Sequence, residues 1–562
     1  MQDAFSRIAR RCGAACAALL LSSCRPAATL HLGQAAGPDA SPLPLRVSPG
    51  ARRVQIAGDQ FCVDGVRFLI KASFYAYHPV GRNPWDVRPP PDVLRNHLRG
   101  LKAAGFNTIR WFEPTGPEIE ICRQEGVFVF QQLWMDGNAD YSDAAFRLKN
   151  LDRLREIVRG TRGHDNVLGY LVTNEPNLCG ATTEREFRDV LSHLIEVRNM
   201  IREEDPGAYV SFDNWPPLVS WDHSMWDFVA FNVYTWGPIT TTEHGMGYRP
   251  FLEYLKRTHA SDRPLVILEY GASVCPVNRD GHGYGGWTEA AQARESLSML
   301  RDILAAGSAG ACYTHFADQI WKSGSNATRE DDDPEEWFGM LALDLRGGPA
   351  MEGRWRPVYF ALQEFHRAIL LEPAPFSAVR GRQRVLVHSE QAAAARFRVG
   401  GGPWQKLQNE AGPWWAGTLD TTRLEDALQR VEVQVESGGG TVSREAWVVV
   451  ANRRPDPFAL DVKLTPSRDS LWPGEPLAAT VTVRRADGSP AAGQLVRWAV
   501  HEHRAWPFKP RTATTGPDGT VALDVDTQDL LGLVTISAGV DVSDGPYQRR
   551  FGDLATVRIG MR

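Results

Sequence analysis

The chain has 562 residues, of which 62 are Lys or Arg and 67 are Asp or Glu, so its formal net charge at pH 7 is −5. This length accommodates one large domain with smaller modules, or about three domains of ordinary size. The near balance of acidic and basic residues gives no support for a nucleic-acid-binding protein, because such proteins present a basic surface.

The first 24 residues are predicted to form an export signal. A basic stretch ending at Arg11 precedes the apolar run 14–21, which is too short to span a bilayer. The run leads into Leu-Ser-Ser-Cys at 21–24, which resembles the lipobox of bacterial lipoproteins. That resemblance implies export and a lipid anchor on Cys24 in a bacterial membrane. The alternative is an ordinary secretory signal that is cleaved near Ala28.

Residues 25–50 are rich in Ala, Pro and Gly and are predicted to be a flexible linker. From 51 to 372, short apolar runs alternate with amphipathic stretches, which predicts a (β/α)8 TIM barrel. The eight predicted strands are 68–74, 107–112, 127–133, 168–173, 209–212, 227–234, 264–269 and 309–314. The fifth connection, around 216–226, is weak as a helix. The alternative is an open doubly wound sheet, but no G-x-G-x-x-G motif follows the first strand, which argues against its nucleotide-binding version.

After residue 372 the helical pattern gives way to short alternating runs broken by glycines, which is typical of β-sandwiches. Two modules are predicted, at 373–455 and 456–562, each about the size of a small sandwich. The second resembles bacterial immunoglobulin-like modules in the segments "GSPAAGQLVRWAV" and "TTGPDGTVALDV".

Two glutamates follow the ends of predicted barrel strands. Glu175 stands in "LVTNEPN" after the fourth strand, and Glu269 ends the apolar run "PLVILE" of the seventh. In a (β/α)8 barrel the side chains that perform chemistry lie at the C-terminal ends of the strands. Two carboxyl groups on either side of a glycosidic bond are what hydrolysis of that bond requires.

In this region the chain resembles clan A of the glycoside hydrolases, near the barrels of families 2 and 5. The resemblance covers about residues 54–370 and rests on "FCVDGVRFLIKASFY", "LKAAGFNTIRWF", "NEPN", "FVAFNVYTW", "PLVILEYGAS" and "DQIWK", in that order. Two features depart from the family patterns. The β modules follow the barrel, whereas in family 2 they usually precede it, and "WKSGSN" does not reproduce the Asn-x-Lys pair of glucuronidases.

The resemblance implies a role for each matching residue. Glu175 would be the acid/base and Glu269 the nucleophile. Asn174 would bind the sugar 2-hydroxyl, Arg110 would keep Glu269 ionised, and Tyr234 would orient Glu269.

Further residues just past strand ends are expected to bind substrate. Trp321 would form the floor beneath the sugar, and the other expected contacts are Asn232, Trp134, Trp215 and Lys322, followed by Trp111, Asn214, Trp236, Asp318 and Gln319. The acidic segment 329–337 lacks the EF-hand spacing, so we expect a solvated loop there, and no metal or cofactor is expected. The 18 tryptophans are either additional core or flat surfaces for stacking against sugar rings.

The sequence therefore predicts an exported, retaining β-glycoside hydrolase of a β-linked polysaccharide or oligosaccharide. An endo-acting glucanase or mannanase is favoured over an exo-enzyme, and a transglycosylase would use the same residues. The alternative from another class is a non-catalytic surface lipoprotein that binds glycan. The expected partners are the carbohydrate substrate and, through the lipid anchor, a bacterial membrane. No nucleic acid and no obligatory protein partner are expected.

Overall fold

The computed structural model describes residues 53–136, 139–176, 184–237, 239–241, 243–279, 281–322, 325–502 and 511–560. Cys24, the predicted export signal and the predicted linker 25–50 lie outside the described residues. Among the described helices, none has the length and apolar character needed to cross a membrane.

A small antiparallel sheet precedes the barrel and consists of β1 (Val54–Ala57), β2 (Gln60–Val63) and β3 (Val66–Arg67). It carries Phe61, whose ring is fully buried and makes edge contacts with Phe130, Tyr209 and Phe228. The backbone N–H of Ile56 donates to the Tyr209 hydroxyl at 2.9 Å. The sheet is therefore packed onto the apolar interior of the barrel.

Eight parallel strands form a closed barrel, which confirms the predicted architecture. Their order around the barrel is their order in the chain, with the last strand pairing with the first. The strands are β4 (Ile70–Tyr75), β5 (Thr108–Phe112), β6 (Phe128–Leu133), β7 (Val167–Val172), β8 (Val210–Asn214), β9 (Val229–Asn232), β10 (Leu265–Tyr270) and β11 (Gly310–Tyr313). Most strand residues are buried on both faces, which explains why these strands are near-continuous apolar runs.

Helices connect the strands and cover the outside of the barrel. They are α1 (Pro91–Ala103), α2 (Gly116–Gln124), α3 (Ala144–Thr161), α4 (Glu184–Glu204), α5 (Tyr248–Thr258), α6 (Glu289–Ala305) and α7 (Pro357–His366). Local sequence defines where several begin. The Asp143 side chain accepts from the Ala145 N–H before α3, and that of Thr288 accepts from the Ala291 N–H before α6. The weak fifth connection contains only the 3-10 turn Pro216–Leu218.

After β11 comes a two-stranded sheet, β12 (Leu341–Leu343) with β13 (Gly353–Trp355). The next nine strands form a four-stranded and a five-stranded sheet. These strands are β14 (Ile369–Glu372), β15 (Ala378–Val379), β16 (Arg382–His388), β17 (Ala392–Val399), β18 (Gln405–Lys406), β19 (Gln408–Ala411), β20 (Trp414–Asp420), β21 (Leu428–Ser437) and β22 (Gly440–Val450). Both sheets contribute to one apolar core, with Val385 and Leu419 from one and Phe397 and Val433 from the other.

The C-terminal strands form a second pair of sheets with its own core, to which Val481 and Ile536 contribute from opposite sheets. They are β23 (Leu460–Pro466), β24 (Ser470–Leu471), β25 (Leu477–Arg485), β26 (Leu495–Glu502), β27 (Arg511–Thr514), β28 (Thr520–Val525), β29 (Gly532–Asp544) and β30 (Tyr547–Ile559). The immunoglobulin-like character of this region stays a prediction.

Both pairs of sheets contact the barrel directly. The buried ammonium group of Lys71 on β4 forms an ion pair with Glu390 at 2.6 Å, and the Trp414 indole donates to the Arg67 carbonyl at 2.7 Å. From β30, Arg549 forms an ion pair with Glu253 of α5 at 2.8 Å. These contacts lie away from the strand ends that carry the predicted site.

Candidate active site

The backbone around Glu175 turns sharply as soon as β7 ends. Thr173 and Glu175 both have positive φ angles, 59° and 42° respectively, in the left-handed region that residues other than glycine rarely adopt. Such a conformation costs about 1–3 kcal/mol per residue and persists only where the surroundings enforce it. Here the Thr173 N–H donates to the Leu133 carbonyl at 3.0 Å and the Glu175 N–H donates to the Asp213 carbonyl at 3.0 Å. The turn therefore fixes the Glu175 side chain between the ends of β7 and β8.

The Glu175 carboxyl group favours its protonated form. Burial raises its pKa to about 8, and the negative charges of Glu269 and Asp213 add to the effect. One hydrogen bond opposes this shift, because the Asn232 amide donates to Glu175 Oε1 at 2.9 Å. At neutral pH Glu175 is therefore positioned as a proton donor.

The Glu269 carboxylate is held by two strong donors. Glu269 lies on β10 opposite Asn232 of β9, and a β-bulge precedes it. Its Oε1 accepts from Arg110 Nη1 at 2.6 Å and its Oε2 accepts from the Tyr234 hydroxyl at 2.6 Å. Since Asn232 bonds to Glu175 and pairs in register with Glu269, the two glutamates belong to the same barrel mouth.

Arg110 organises the floor of this mouth from β5. Its guanidinium group is completely buried and donates to three acidic or amide side chains besides Glu269: to Asp213 at 2.6 Å, to Asn174 at 2.5 Å and to Gln132 at 2.5 Å. The neighbouring carboxylates raise the pKa of Arg110 despite its burial, so it stays charged. Asn174 is thus oriented by the same cation that holds Glu269.

Asp213 and Gln132 are parts of this network that the sequence did not single out. The Gln132 amide donates to Asp213 Oδ2 at 3.1 Å and to the Thr173 carbonyl at 2.6 Å. Burial raises the pKa of Asp213 to about 7, with Arg110 opposing the shift and Glu269 adding to it. The sequence signal that could have identified them is a polar residue in an apolar strand, because burying a polar side chain without a hydrogen-bond partner is costly.

Aromatic side chains form one wall of the mouth. Trp85 contacts Trp134, Phe112 and Trp321, with ring centroids 5.6, 5.7 and 6.0 Å away. Trp85 and Trp134 keep 48% and 41% of their surface exposed, which is unusual for so large an apolar group. Trp134 and Trp321 were predicted from the sequence, but Trp85 was not, because it lies in a loop without a periodic pattern.

A second aromatic group lies next to Glu269. The Tyr284 ring stacks on Trp236 at 4.3 Å, and Trp236 stacks on Tyr234 at 5.2 Å. Glu335 accepts from the Tyr284 hydroxyl and from Lys322 Nζ, the latter at 3.3 Å. Lys322, predicted to bind substrate, therefore lies beside this stack, and its Nζ is 5.4 Å from the Trp321 ring centre.

Several residues that were predicted to contact the substrate are bonded to, or packed against, other residues of the protein. Asp318 is buried in ion pairs with Arg356 and Arg329, and the Asn214 amide donates to the Leu218 carbonyl and bonds to His223. The remaining predicted contacts also pack or bond within the protein: Trp111 is buried against Tyr75, Trp215 packs on the cluster around Trp221, and Gln319 accepts from the Trp321 indole.

The acidic segment 329–337 is more ordered than the expected solvated loop. It contains the 3-10 turn Pro334–Trp337, and Glu336 is fully buried and accepts from the Glu330 N–H at 2.5 Å. That expectation was wrong for Glu336. A run of acidic residues in a sequence does not show which carboxylate is buried and accepts a hydrogen bond from the backbone of its own loop.

Comparison with known proteins gives three results. A family model for the macroglobulin domain MG4 matches residues 462–556. No curated protein sequence matches the chain significantly. Among solved structures, the chain is similar to β-glucuronidases of Parabacteroides merdae (12% identity, TM-score 0.42, 90% of this chain and 63% of that one) and Bacteroides uniformis (13%, 0.45, 91% and 68%).

It is also similar to the endo-β-1,4-mannanase of Thermotoga petrophila, with 14% identity and a TM-score of 0.35 over 69% of this chain and 98% of that one. The chain spans less than two thirds of the length of the Parabacteroides merdae glucuronidase.

Proposed function

We propose that the chain is a retaining β-glycoside hydrolase in which Glu175 is the acid/base and Glu269 is the nucleophile. The observation that carries the proposal is the contrast between the two carboxyl groups. Glu175 has a pKa raised to about 8, whereas Glu269 accepts hydrogen bonds from Arg110 and Tyr234. A carboxyl group that keeps its proton, next to a second carboxyl group held by a guanidinium group, is the arrangement that acid and nucleophilic catalysis at one pH requires.

In the first step a Glu269 oxygen forms a bond to the anomeric carbon while the bond from that carbon to the leaving oxygen breaks. Glu175 transfers its proton to the leaving oxygen, so the departing sugar leaves as an alcohol. In the second step Glu175, now ionised, takes a proton from water as the water oxygen attacks the anomeric carbon. The bond to Glu269 breaks, and both carboxyl groups return to their starting states with net retention of the β configuration.

Arg110, Tyr234 and Asn174 have supporting roles in this scheme. Arg110 and Tyr234 hold the Glu269 side chain in one orientation, with donor distances of 2.6 Å each. Asn174 is fixed through its Oδ1 by Arg110, which leaves its amide N–H groups as candidate donors to the sugar 2-hydroxyl. Arg110 therefore positions both the proposed nucleophile, Glu269, and the proposed substrate-binding residue, Asn174.

The substrate class we propose is a β-linked polysaccharide or oligosaccharide, with endo action on a glucan or mannan favoured. The exposed rings of Trp85 and Trp134 support this, because they place two aromatic side chains next to each other along one wall of the mouth. Trp321, Asn232, Trp215 and Lys322 complete the proposed contacts. An exo-acting enzyme or a transglycosylase would use the same two glutamates.

The decisive experiment is labelling with a 2-fluoro β-glycoside of an accepted sugar, chosen by screening aryl β-glycosides, β-glucan, mannan and xylan. We expect one label on Glu269, found by peptide mass spectrometry, and a β-configured first product by NMR. Glu113→Gln is the matched control, since Glu113 directly follows β5 but forms an ion pair with Arg153; this variant should be labelled like the wild type. A label elsewhere or an α-configured product would refute the mechanism.

The competing proposal is a glycan-binding protein without catalysis. It predicts polysaccharide binding with no turnover and no label on Glu269 in the wild type. Glu175→Ala separates the two readings further. In the enzyme this variant should still cleave a substrate with a good leaving group, and added azide should rescue its second step and give a β-glycosyl azide.

A further inference from the structure

We infer that Glu243, His244 and His282 form a Zn²⁺ site beside the barrel mouth. The two histidines and the carboxylate come from two different loops, one after β9 and one after β10. His244 Nε2 lies 3.3 Å from His282 Nδ1, and Glu243 Oε2 lies 3.4 Å from each of these nitrogens. The three potential ligand atoms therefore form a nearly equilateral triangle.

The size of this triangle fits tetrahedral zinc. Zn²⁺ bound by His nitrogen and carboxylate oxygen at about 2.0–2.1 Å in a tetrahedron separates its ligand atoms by about 3.3–3.4 Å. The same separations are longer than the usual range of about 2.7–3.2 Å for hydrogen bonds of N–H donors. The distances therefore match three vertices of a zinc tetrahedron, and the fourth vertex would hold a water molecule.

The accessibility of the ligands also suits a metal. Glu243 is largely exposed, the side chain of His282 is partly exposed and His244 is buried, so the ion would enter from the side of Glu243 and His282. The nearby guanidinium of Arg550 is balanced by Asp541 at 2.8 Å.

Hydrogen bonds hold both loops in place next to the proposed ligands. Arg550 of β30 donates to the Gly245 carbonyl at 2.6 Å, next to His244. In the second loop the Trp287 indole donates to the Gly283 carbonyl at 2.8 Å, next to His282. These hydrogen bonds hold the ligands near their positions before the ion arrives, which reduces the ordering cost of binding.

The position of the site gives it a role. The same two loops carry Trp236 and Tyr284, whose stacked rings lead to Tyr234 and through it to Glu269. An ion bound to residues of both loops would tie them together beside this stack. The proposed role of the ion is therefore to join the two loops, and the site would stand even if the proposed hydrolase activity were wrong.

The test uses the full chain, stripped of metal with a chelator and then titrated with Zn²⁺ by calorimetry, with metal content measured after dialysis. We expect one Zn²⁺ per wild-type chain and a higher melting temperature with the ion. His282→Ala and the exposed Glu243→Gln should each weaken binding by more than about tenfold, since losing a residue that only supports a ligand already costs about 10–100-fold. His164→Ala, at a histidine outside the cluster, should bind like the wild type.

Co²⁺ is the spectroscopic probe, because only four- or five-coordinate Co²⁺ absorbs visible light strongly. The wild type and His164→Ala should give this absorption, and His282→Ala should lose it. Mg²⁺, which prefers oxygen ligands, should not compete. The inference is overturned if the wild type binds no stoichiometric Zn²⁺, or if His282→Ala and Glu243→Gln both bind it as tightly as the wild type.

Discussion

Glu175→Gln is expected to stabilise the folded protein at neutral and mildly alkaline pH. The folded state keeps a proton on Glu175 up to about pH 8, whereas the unfolded chain releases it near the ordinary value of 4.5. Between these two values the unfolded state binds fewer protons, so this group lowers the free energy of unfolding as pH rises. Glutamine resembles the protonated acid, has no proton to lose there, and can still accept from Asn232 through its amide oxygen.

The size of the effect follows from the two pKa values. Each pH unit by which a folded-state pKa departs from its ordinary value corresponds to about 1.4 kcal/mol, so at pH 7 the wild type loses up to about 3 kcal/mol through this group. Water reaches part of the side chain from the mouth, which reduces the loss. We therefore expect Glu175→Gln to gain about 1–3 kcal/mol near pH 7 and close to nothing below the ordinary pKa.

Differential scanning calorimetry of the wild type and the variant at several pH values measures this gain. The melting temperature of the variant should exceed that of the wild type by a few degrees near about pH 8, and the difference should shrink steadily toward about pH 5. Glu352→Gln, at an exposed glutamate away from the mouth, is the control. A melting-temperature difference that is the same at both pH values would refute the reasoning.

Three further predictions concern other residues. Arg110→Lys should abolish turnover and lower the melting temperature strongly, because lysine cannot satisfy Glu269, Asp213 and Asn174 together and an unpaired buried carboxylate costs about 3–5 kcal/mol; an unchanged melting temperature would contradict this. Trp85→Ala should raise KM for a polymeric substrate about 2–10-fold while leaving small aryl glycosides unaffected. Trp472→Ala, at a similarly exposed tryptophan directly after β24, should change neither. Cys24→Ala should lose membrane association and labelling by a palmitate analogue, and wild type found only in the soluble exported fraction would contradict the anchor.

The barrel could be predicted because its strands are buried on both faces. A strand such as β10 must then be a continuous apolar run, and such runs are visible without any alignment. The connection at 216–226 gave a weak pattern because it contains no α-helix, only the turn Pro216–Leu218. Local sequence therefore predicted both the regular connections and the irregular one.

The site was only partly predictable. Glu175 and Glu269 are visible because each is a charged residue at the end of an apolar run. Gln132 was not predicted because it lies within a strand, and Asp213 was not predicted because β8 continues beyond its predicted end. Trp85 was not predicted because its position at the mouth depends on the path of a loop. His282 was not predicted because its partners lie in another loop.

Arg110 explains why the carboxyl groups of the mouth differ. One buried guanidinium group faces Glu269 and Asp213 at 2.6 Å each, and its single positive charge cannot fully balance both. Glu269 receives a second donor from Tyr234, whereas the donor to Glu175 among the described residues is the neutral amide of Asn232. Ionising Glu175 would therefore add an uncompensated negative charge to a buried cluster that already contains carboxylates, which is the physical reason its pKa is raised. Removing the cation should consequently affect both proposed catalytic glutamates at once, because Glu269 and Asp213 would lose their ion pairs with Arg110, and the charges of these two side chains raise the pKa of Glu175.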